Sequence, residues 1–200
     1  MIQERLSLLP AALPDYRPFA PAADRAVWEG LPQAVKARFL QAGEAALAQP
    51  IAPLPLSLWQ DFLRTGQRTP WENALFSRRA RLCGLVCAEC VEHAGRFTQA
   101  IADTVWAICE ESAWQLPAHN SYIRDTPQLP LPDTSRPIVD LFAAEAGALL
   151  ALTRYLLGPE LETAAPGLPA RMERELRTRI LTPYFREHFW WMGNGDEPVC

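Results

Sequence analysis

The sequence predicts an all-α protein, and three observations carry that prediction. Apolar residues recur at the three- and four-residue spacing of helices through most of the chain. No segment of the sequence alternates β-branched and polar residues in the way that marks a half-buried strand. Prolines, glycines and capping residues punctuate the chain as helix start and stop signals. We therefore expect antiparallel helical hairpins joined alternately by short turns and long loops.

The first 56 residues are predicted to be an extended and helical lead-in. Residues 1–21 are punctuated by proline and are expected to be extended, whereas residues 22–48 are helical with Pro32 as a kink or divider. The buried face of this helical part is predicted to comprise Val27, Leu31, Val35 and Phe39. Three prolines in residues 49–56 then predict an extended connector.

Residues 57–200 are predicted to form part of an incomplete α/α toroid. The expected helices cover residues 57–65, 69–93, 96–112, 137–157 and 168–182. The clearest start is Thr69-Pro70-Trp71-Glu72, which has a capping residue, a first-turn proline and a capping-box glutamate. Gly66 and Gly158-Pro159 are stop signals. Because no repeat of fixed period is visible, a toroid is preferred to a regular helical-repeat array.

Composition favours one domain with neither a nucleic-acid nor a membrane partner. The 200 residues are 49% apolar, and their formal net charge of −4 offers no general attraction to polyanions. Neither a secretory signal nor an apolar run of membrane-spanning length is visible. A cytoplasmic location is expected, or a periplasmic or secreted one if a leader was removed. Five cysteines, an odd number, favour reduced thiols.

Cys83, Cys87 and Cys90 have the spacing that binds the iron–sulfur cluster of radical SAM enzymes. Here they fall at positions i, i+4 and i+7 of a strongly capped helix, whereas that motif belongs on a loop after a strand. Buried thiols at a helix interface are therefore the preferred interpretation. A zinc site would need ligands from another helix. We predict no metal site and no cofactor.

The long connection after the helix at residues 96–112 is the first place to expect chemistry, because long ordered loops in compact domains are commonly functional. His119 is a candidate general base or proton relay, and Asn120 is a candidate amide donor to a carboxylate. The alternative for His119 is a loop histidine that caps a helix end. Tyr122 extends the same candidate segment.

Two charged groups near this connection each have two interpretations. Arg124 can bind a carboxylate or sulfate with both ends of its guanidinium, or it can pair with Asp125 or Asp133. Adjacent Glu110 and Glu111 suggest the paired acids of a glycoside hydrolase. Neighbouring residues on a helix point about 100° apart, however, so these two carboxylates are not expected to face one another.

Residues 189–200 are rich in aromatic residues and broken by glycine. Trp190 and Trp191, with Asn194 beside them, could form a platform on which sugar rings stack. The alternative is that these aromatic residues pack against a continuation of the chain. So much exposed aromatic surface at the end predicts that the protein continues beyond Cys200.

Three segments together resemble the N-terminal helical domain of heparinase II/III-like proteins. They are Trp106-Ala-Ile-Cys-Glu-Glu-Ser-Ala-Trp-Gln-Leu-Pro-Ala-His119, Asp140-Leu-Phe-Ala-Ala-Glu-Ala-Gly-Ala-Leu-Leu150 and Phe189-Trp-Trp-Met-Gly193. The resemblance covers roughly residues 70–200. It implies an incomplete toroid followed by a C-terminal β-sandwich domain, and a long cleft for an acidic polysaccharide or oligosaccharide.

The resemblance also implies the reaction of a polysaccharide lyase. Such an enzyme neutralises a uronate carboxylate, removes the C5 proton and expels the 4-linked sugar to leave an unsaturated product. In this family an Asn-Trp motif, a catalytic tyrosine and a β-domain histidine are expected after the aromatic segment, and Cys200 precedes all three. The 200 residues alone are therefore expected to form one wall of the cleft without activity. The candidate cleft residues are His119, Asn120, Trp190, Trp191 and Asn194.

Two other functions stay open on the sequence alone. One is a non-catalytic helical module that binds carbohydrate or another partner. The other is a glycoside hydrolase on a similar toroid, which would need two inward carboxylates at hydrolytic separation.

Overall fold

The computed structural model describes residues 16–193, and this part of the chain is all-α, with no strand among the described residues. The α-helices are α1 (Arg25–Glu29), α2 (Gln33–Leu47), α3 (Leu56–Thr65), α4 (Thr69–Glu92), α5 (Thr98–Cys109), α6 (Leu141–Ala164), α7 (Leu168–Leu176) and α8 (Thr182–Arg186). Single turns of 3₁₀-helix occur at Pro117–His119 and Trp190–Met192, and a π-helical segment, Arg177–Leu181, joins α7 to α8. The prediction of an all-α fold is confirmed.

Two helical hairpins form the centre of the molecule. The turn at residues 93–97 joins α4 to α5, and the turn at residues 165–167 joins α6 to α7. Helix α4 packs against α6, and α5 packs against α7, so the hairpins lie side by side. Helix α2 packs along α4. This arrangement has two layers of helices, as stacked hairpins require, and closure into a toroid stays a prediction.

The core lies between the two hairpins. Its fully buried members include Leu82 and Leu85 of α4, Ile101 of α5, Leu150 of α6 and Met172 of α7. Burying each such side chain stabilises the fold by about 1.5–3 kcal/mol relative to leaving it in water. The short turns lie at one end of this core, and the long connection of residues 110–140 leaves from the other end of α5.

The start of α6 differs from the prediction. The helix begins at Leu141 rather than at Pro137, because the Asp140 side chain caps it by accepting a hydrogen bond from Ala143 N at 2.7 Å. The predicted stop at Gly158-Pro159 coincides with a break in the helix, since the backbone of Leu157 is non-helical (φ −131°, ψ 20°). A second helical stretch follows this break and continues to Ala164.

The predicted buried face of residues 22–48 was wrong at two positions. Val27 is 50% exposed and Val35 is 37% exposed. Helix α2 instead approaches α4 through Gly43, where an added Cβ would lie only 2.2 Å from Ala88 Cβ. A glycine at a close helix contact carries no apolar signal, so apolar periodicity did not identify this face.

The α4–α5 turn is held by a buried carboxylate. Glu89 is 1% exposed, and it accepts hydrogen bonds from Gly95 N at 2.7 Å and from Phe97 N at 2.9 Å. The predicted end of α4 near His93 is confirmed, and His93 takes the left-handed conformation at φ 51°. The start of α4 differs in detail, since Glu72 binds the Arg68 side chain at 2.6 Å instead of completing a capping box.

One helix of the described chain, Leu141–Ala164, is long and apolar enough to cross a membrane. Core helices of soluble proteins meet the same two requirements. This helix packs against α4, α5 and α7.

Candidate functional site

The long connection starts at a buried ion pair. Glu111 follows α5, and only 2% of its side chain is exposed. Its carboxylate accepts two hydrogen bonds from Arg79, at 2.8 and 2.5 Å, and a third from Arg78 at 3.1 Å. Glu110 points elsewhere and pairs with Arg171 at 3.3 Å. As expected, the adjacent acids do not face each other, and neither is free to act as a hydrolytic acid.

Two arginines of the second hairpin cover the end of α5. Arg171 and Arg179 both donate to the Cys109 carbonyl, at 3.2 and 3.0 Å. The Glu175 carboxylate lies between them and accepts from each, at 2.6 and 2.7 Å. Burial acts to raise the pKa of Glu175, but the charges and hydrogen bonds of the two arginines lower it below its ordinary value overall.

The i,i+4 spacing of Glu175–Arg179, like that of Glu173–Arg177, predicts an ion pair on an exposed side of the last helix. That placement was wrong for the first pair, because Glu175 is 7% exposed. Glu173 and Arg177 do form an exposed pair, at 3.3 Å. The i,i+4 spacing is the same for both pairs, so spacing alone could not tell the buried one from the exposed one.

His119 is held by the residue that caps α6. Its Nδ1 lies 2.6 Å from an Asp140 carboxylate oxygen, which also accepts from Leu116 N at 3.2 Å, while the other oxygen caps the helix at Ala143 N. The imidazole stacks on Phe142 with 5.8 Å between ring centroids. The His119 side chain is 32% exposed, and Asp140 is buried.

This geometry gives His119 the arrangement of a general base. A carboxylate that accepts from Nδ1–H fixes the tautomer in which Nε2 carries the free lone pair. Within residues 16–193, Nε2 of His119 has no hydrogen-bond partner. The sequence analysis named His119 but missed Asp140, although an aspartate directly before an apolar helical run is a capping signal.

Asn120 lies inside the loop rather than on its surface. It is 0% exposed, its Oδ1 accepts from Gln115 Nε2 at 3.1 Å, and its Nδ2 donates to the Leu129 carbonyl at 2.9 Å. The backbone of Leu129 donates in return to the Asn120 carbonyl at 2.8 Å. Both ends of the amide are engaged, so this geometry favours a role in holding the loop over the predicted contact with a substrate carboxylate.

The aromatic segment near the end of the described chain packs onto the same loop. Trp191 donates from Nε1 to the Val139 carbonyl at 2.8 Å and stacks on Phe189 at 5.9 Å with nearly parallel rings. Tyr122 packs against this cluster. Its hydroxyl donates to the Arg136 carbonyl at 2.7 Å, and the Arg136 guanidinium lies 4.1 Å from the centre of its ring.

The loop around His119 and the aromatic segment around Trp191 both contact the two residues that precede α6. His119 is hydrogen-bonded to Asp140, and Trp191 is hydrogen-bonded to Val139.

Burial raises the pKa of Tyr122, and repulsion from the Asp133 charge raises it further. At neutral pH this tyrosine is a proton donor rather than a base.

The remaining predicted residues lie farther out. Trp190 is 39% exposed. Arg124 pairs with Asp125 at 3.6 Å, which is the second of its two predicted interpretations. Asn194 lies outside the described residues.

A cavity of 220 Å³ opens beside this loop, between its two ends and the second hairpin. Gln115 and Ala143 line the cavity on the side where His119 meets Asp140. Asp133 and Ser135 line it from the loop, and Glu175 and Arg179 line it from the second hairpin. His119 itself is not among the lining residues. The sequence analysis missed Glu175 and Arg179 as lining residues, and no motif marks them. The cavity is polar enough to hold a hydroxylated or charged group.

The three clustered cysteines lie on α4, as expected. The prediction of buried thiols holds for Cys90, but it was wrong for Cys83, which is exposed, and Cys87 is half-buried. A hydrogen bond from Cys87 lowers the pKa of Cys83 to about 6, whereas burial raises the pKa of Cys90 to about 12. In the part of the chain that the structure describes, no group of three or more His, Cys, Asp or Glu side chains is arranged to hold a metal ion.

The comparisons with known proteins do not indicate a function. No protein-family model matches the chain, and no curated protein matches it either.

Proposed function

We propose that this chain is the helical part of a polysaccharide lyase-like protein that cleaves uronate-containing glycans by β-elimination. The observation that carries the proposal is the 2.6 Å hydrogen bond between His119 Nδ1 and Asp140, which leaves Nε2 available as a base. The three-segment resemblance to heparinase II/III-like proteins supports the same reaction, and His119 and Asp140 lie in two of its segments.

The chemistry assigns one step to this pair. His119 Nε2 accepts the C5 proton of the uronate, the C4–O4 bond breaks, and the electron pair left at C5 forms the C4–C5 double bond. The departing O4 takes a proton from a second donor. Asp140 stabilises the imidazolium that forms, as a buried carboxylate partner does in a catalytic triad. The resemblance assigns the carboxylate-binding amide and the second donor to residues that follow the aromatic segment.

Partners and location belong to the same proposal. The ligand is an acidic polysaccharide or oligosaccharide, and the expected partner segment is a C-terminal β-sandwich domain. The four described cysteines are free thiols, which supports a reducing, cytoplasmic location.

A glycoside hydrolase is not supported by the same residues. Glu111 is neutralised by Arg79 and Arg78, and Glu110 is paired with Arg171. Hydrolysis needs one carboxylic acid and one free carboxylate at a defined separation. This pair provides neither.

The proposal is tested by incubating the protein, with any β-sandwich segment encoded with it, with a panel of uronate polysaccharides. Ultraviolet absorbance of 4,5-unsaturated ends reports elimination. We expect unsaturated product with at least one polymer, and its loss in His119→Ala. Reducing ends without unsaturation would indicate a hydrolase instead. Binding without any turnover would indicate the non-catalytic carbohydrate-binding module.

A further inference from the structure

A second cavity, of 410 Å³, lies along α5 where the turn between α6 and α7 passes over it. Gln99, Asp103 and Trp106 line it from α5, and Leu168 and Arg171 line it from α7. Gln99, Asp103 and Trp106 are spaced at i, i+4 and i+7, so they lie on one face of the helix.

Trp106 is 53% exposed, which makes it the most exposed tryptophan in residues 16–193. It lies in a regular helix, three residues before the end of α5. The Arg171 guanidinium lies 5.4 Å from the ring centre, and Arg171 is itself fixed by Glu175 at 2.6 Å and Glu110 at 3.3 Å. A large aromatic surface therefore remains open in a cavity, where it can stack on a ligand.

The cavity beside Trp106 offers hydrogen-bond acceptors but little unpaired positive charge. Gln99 Nε2 donates to one Asp103 carboxylate oxygen at 2.9 Å, which orients the carboxylate and leaves its second oxygen and the Gln99 carbonyl as acceptors. Arg171 is already neutralised by two carboxylates. A uronate at this place would meet the Asp103 charge without a free cation, whereas sugar hydroxyls would donate to it.

We propose that this cavity binds an uncharged pyranose unit of the glycan, with its C–H face stacked on Trp106 and its hydroxyls donating to Asp103 and Gln99. The inference rests on the proposed function and adds to it a glycan that contains neutral sugar units. Glu175 lies between the two cavities, since it binds Arg171 of this one and Arg179 of the first.

The test compares the parent chain with Trp106→Ala and Asp103→Ala by isothermal titration calorimetry. The ligands are oligosaccharides of alternating uronate and N-acetylhexosamine, all-uronate oligosaccharides and neutral hexose oligosaccharides. Leu63→Ala is the matched control, since Leu63 is an exposed apolar residue of α3 that lines neither cavity. The indole N–H resonance of Trp106 in the parent chain gives a readout that needs no substitution.

We expect the alternating oligosaccharide to bind, its Kd to rise about tenfold in Trp106→Ala, and Leu63→Ala to bind like the parent. The Trp106 resonance should shift on titration, and all-uronate oligosaccharides should be insensitive to Trp106→Ala. An unchanged Kd in Trp106→Ala, or an unshifted resonance at saturation, would overturn the inference.

The two proposals fail in distinguishable ways. Turnover that depends on His119, together with binding that does not depend on Trp106, would contradict this inference but not the proposed function. Tight binding of neutral oligosaccharides that depends on Trp106, with no affinity for any uronate-containing glycan, would support the cavity and contradict the proposed function.

Discussion

Arg79 and Glu111 are joined by two parallel hydrogen bonds, of 2.8 and 2.5 Å, at a buried point where α5 gives way to the long connection. Arg79 belongs to α4, so this pair ties the start of the loop to the first hairpin. Because a buried charge without a partner is costly, removal of either member of the pair should destabilise the start of the loop.

Removal of the Glu111 charge is expected to destabilise the fold strongly. In Glu111→Gln the buried Arg79 and the half-buried Arg78 lose their carboxylate, and we expect a loss of roughly 3–5 kcal/mol in the free energy of unfolding, measured by urea denaturation. The matched control is Glu173→Gln, which likewise takes a carboxylate from two arginines, Arg154 and Arg177, but in exposed pairs, and it should cost less than about 1 kcal/mol. Equal losses in the two variants would contradict the buried-pair interpretation.

Gly43 is expected to tolerate no side chain. In Gly43→Ala the new methyl group would press on Ala88 and push α2 away from α4, so we expect a loss of about 1–3 kcal/mol despite the better helix propensity of alanine. Thermal denaturation measures the effect. At Gly158 an added Cβ meets nothing within 4 Å. Gly158→Ala should therefore leave the stability unchanged or raised, and a comparable loss there would refute the packing argument.

The described cysteines should react in a fixed order. Because the pKa of Cys83 is lowered to about 6 by its hydrogen bond from Cys87, Cys83 is mainly thiolate at neutral pH. Burial raises the pKa of Cys90 to about 12 and that of Cys109 to about 11, so both stay protonated. We expect iodoacetamide to label Cys83 first, with a rate that levels off above about pH 6–7, as peptide mass spectrometry would show.

Cys87→Ala removes the hydrogen-bond donor and is the control for this order. The labelling of Cys83 in that variant should move to higher pH, toward an ordinary thiol. A profile that Cys87→Ala leaves unchanged would show that the neighbouring thiol has no influence.

Asp140 has two roles that substitutions can separate. Asparagine keeps one acceptor oxygen for the cap at Ala143 N but loses the acceptor of Leu116 N, so Asp140→Asn should lose less stability than Asp140→Ala, which also loses about 1 kcal/mol of capping energy. Both variants remove the carboxylate from His119, so β-elimination should fall by about two to four orders of magnitude in each. Full turnover in a stably folded Asp140→Asn protein would exclude Asp140 as the partner of the base.

The sequence predicted what depends on regular spacing and on single strong signals. The all-α class, the ends of α4 near His93 and of α3 at Gly66, and the helical placement of the three cysteines all follow from local patterns. The choice of the loop around His119 as the candidate site also rested on residues close together in the sequence. These features need only nearby residues, which the sequence displays directly.

What the sequence did not predict depends on contacts between distant residues. The burial of Asn120 is set by Gln115 and Leu129 across a folded loop, and the burial of Glu175 is set by its position against the end of α5. Asp140 is both a helix cap and the partner of His119, and only the cap leaves a trace in the sequence. Trp106 belongs to an apolar helix, yet it is 53% exposed and lines the cavity beside the α6–α7 turn, which no local pattern reveals.

The most direct test of the account is the mass of the products formed from a uronate oligosaccharide by the protein, with any β-sandwich segment encoded with it, and by its His119→Ala variant. β-Elimination predicts a fragment with a new non-reducing end that is lighter by one water than the corresponding hydrolysis product, and its absence with His119→Ala. Fragments that have gained water, or unsaturated fragments that persist undiminished in His119→Ala, would contradict the assignment of His119 as the base.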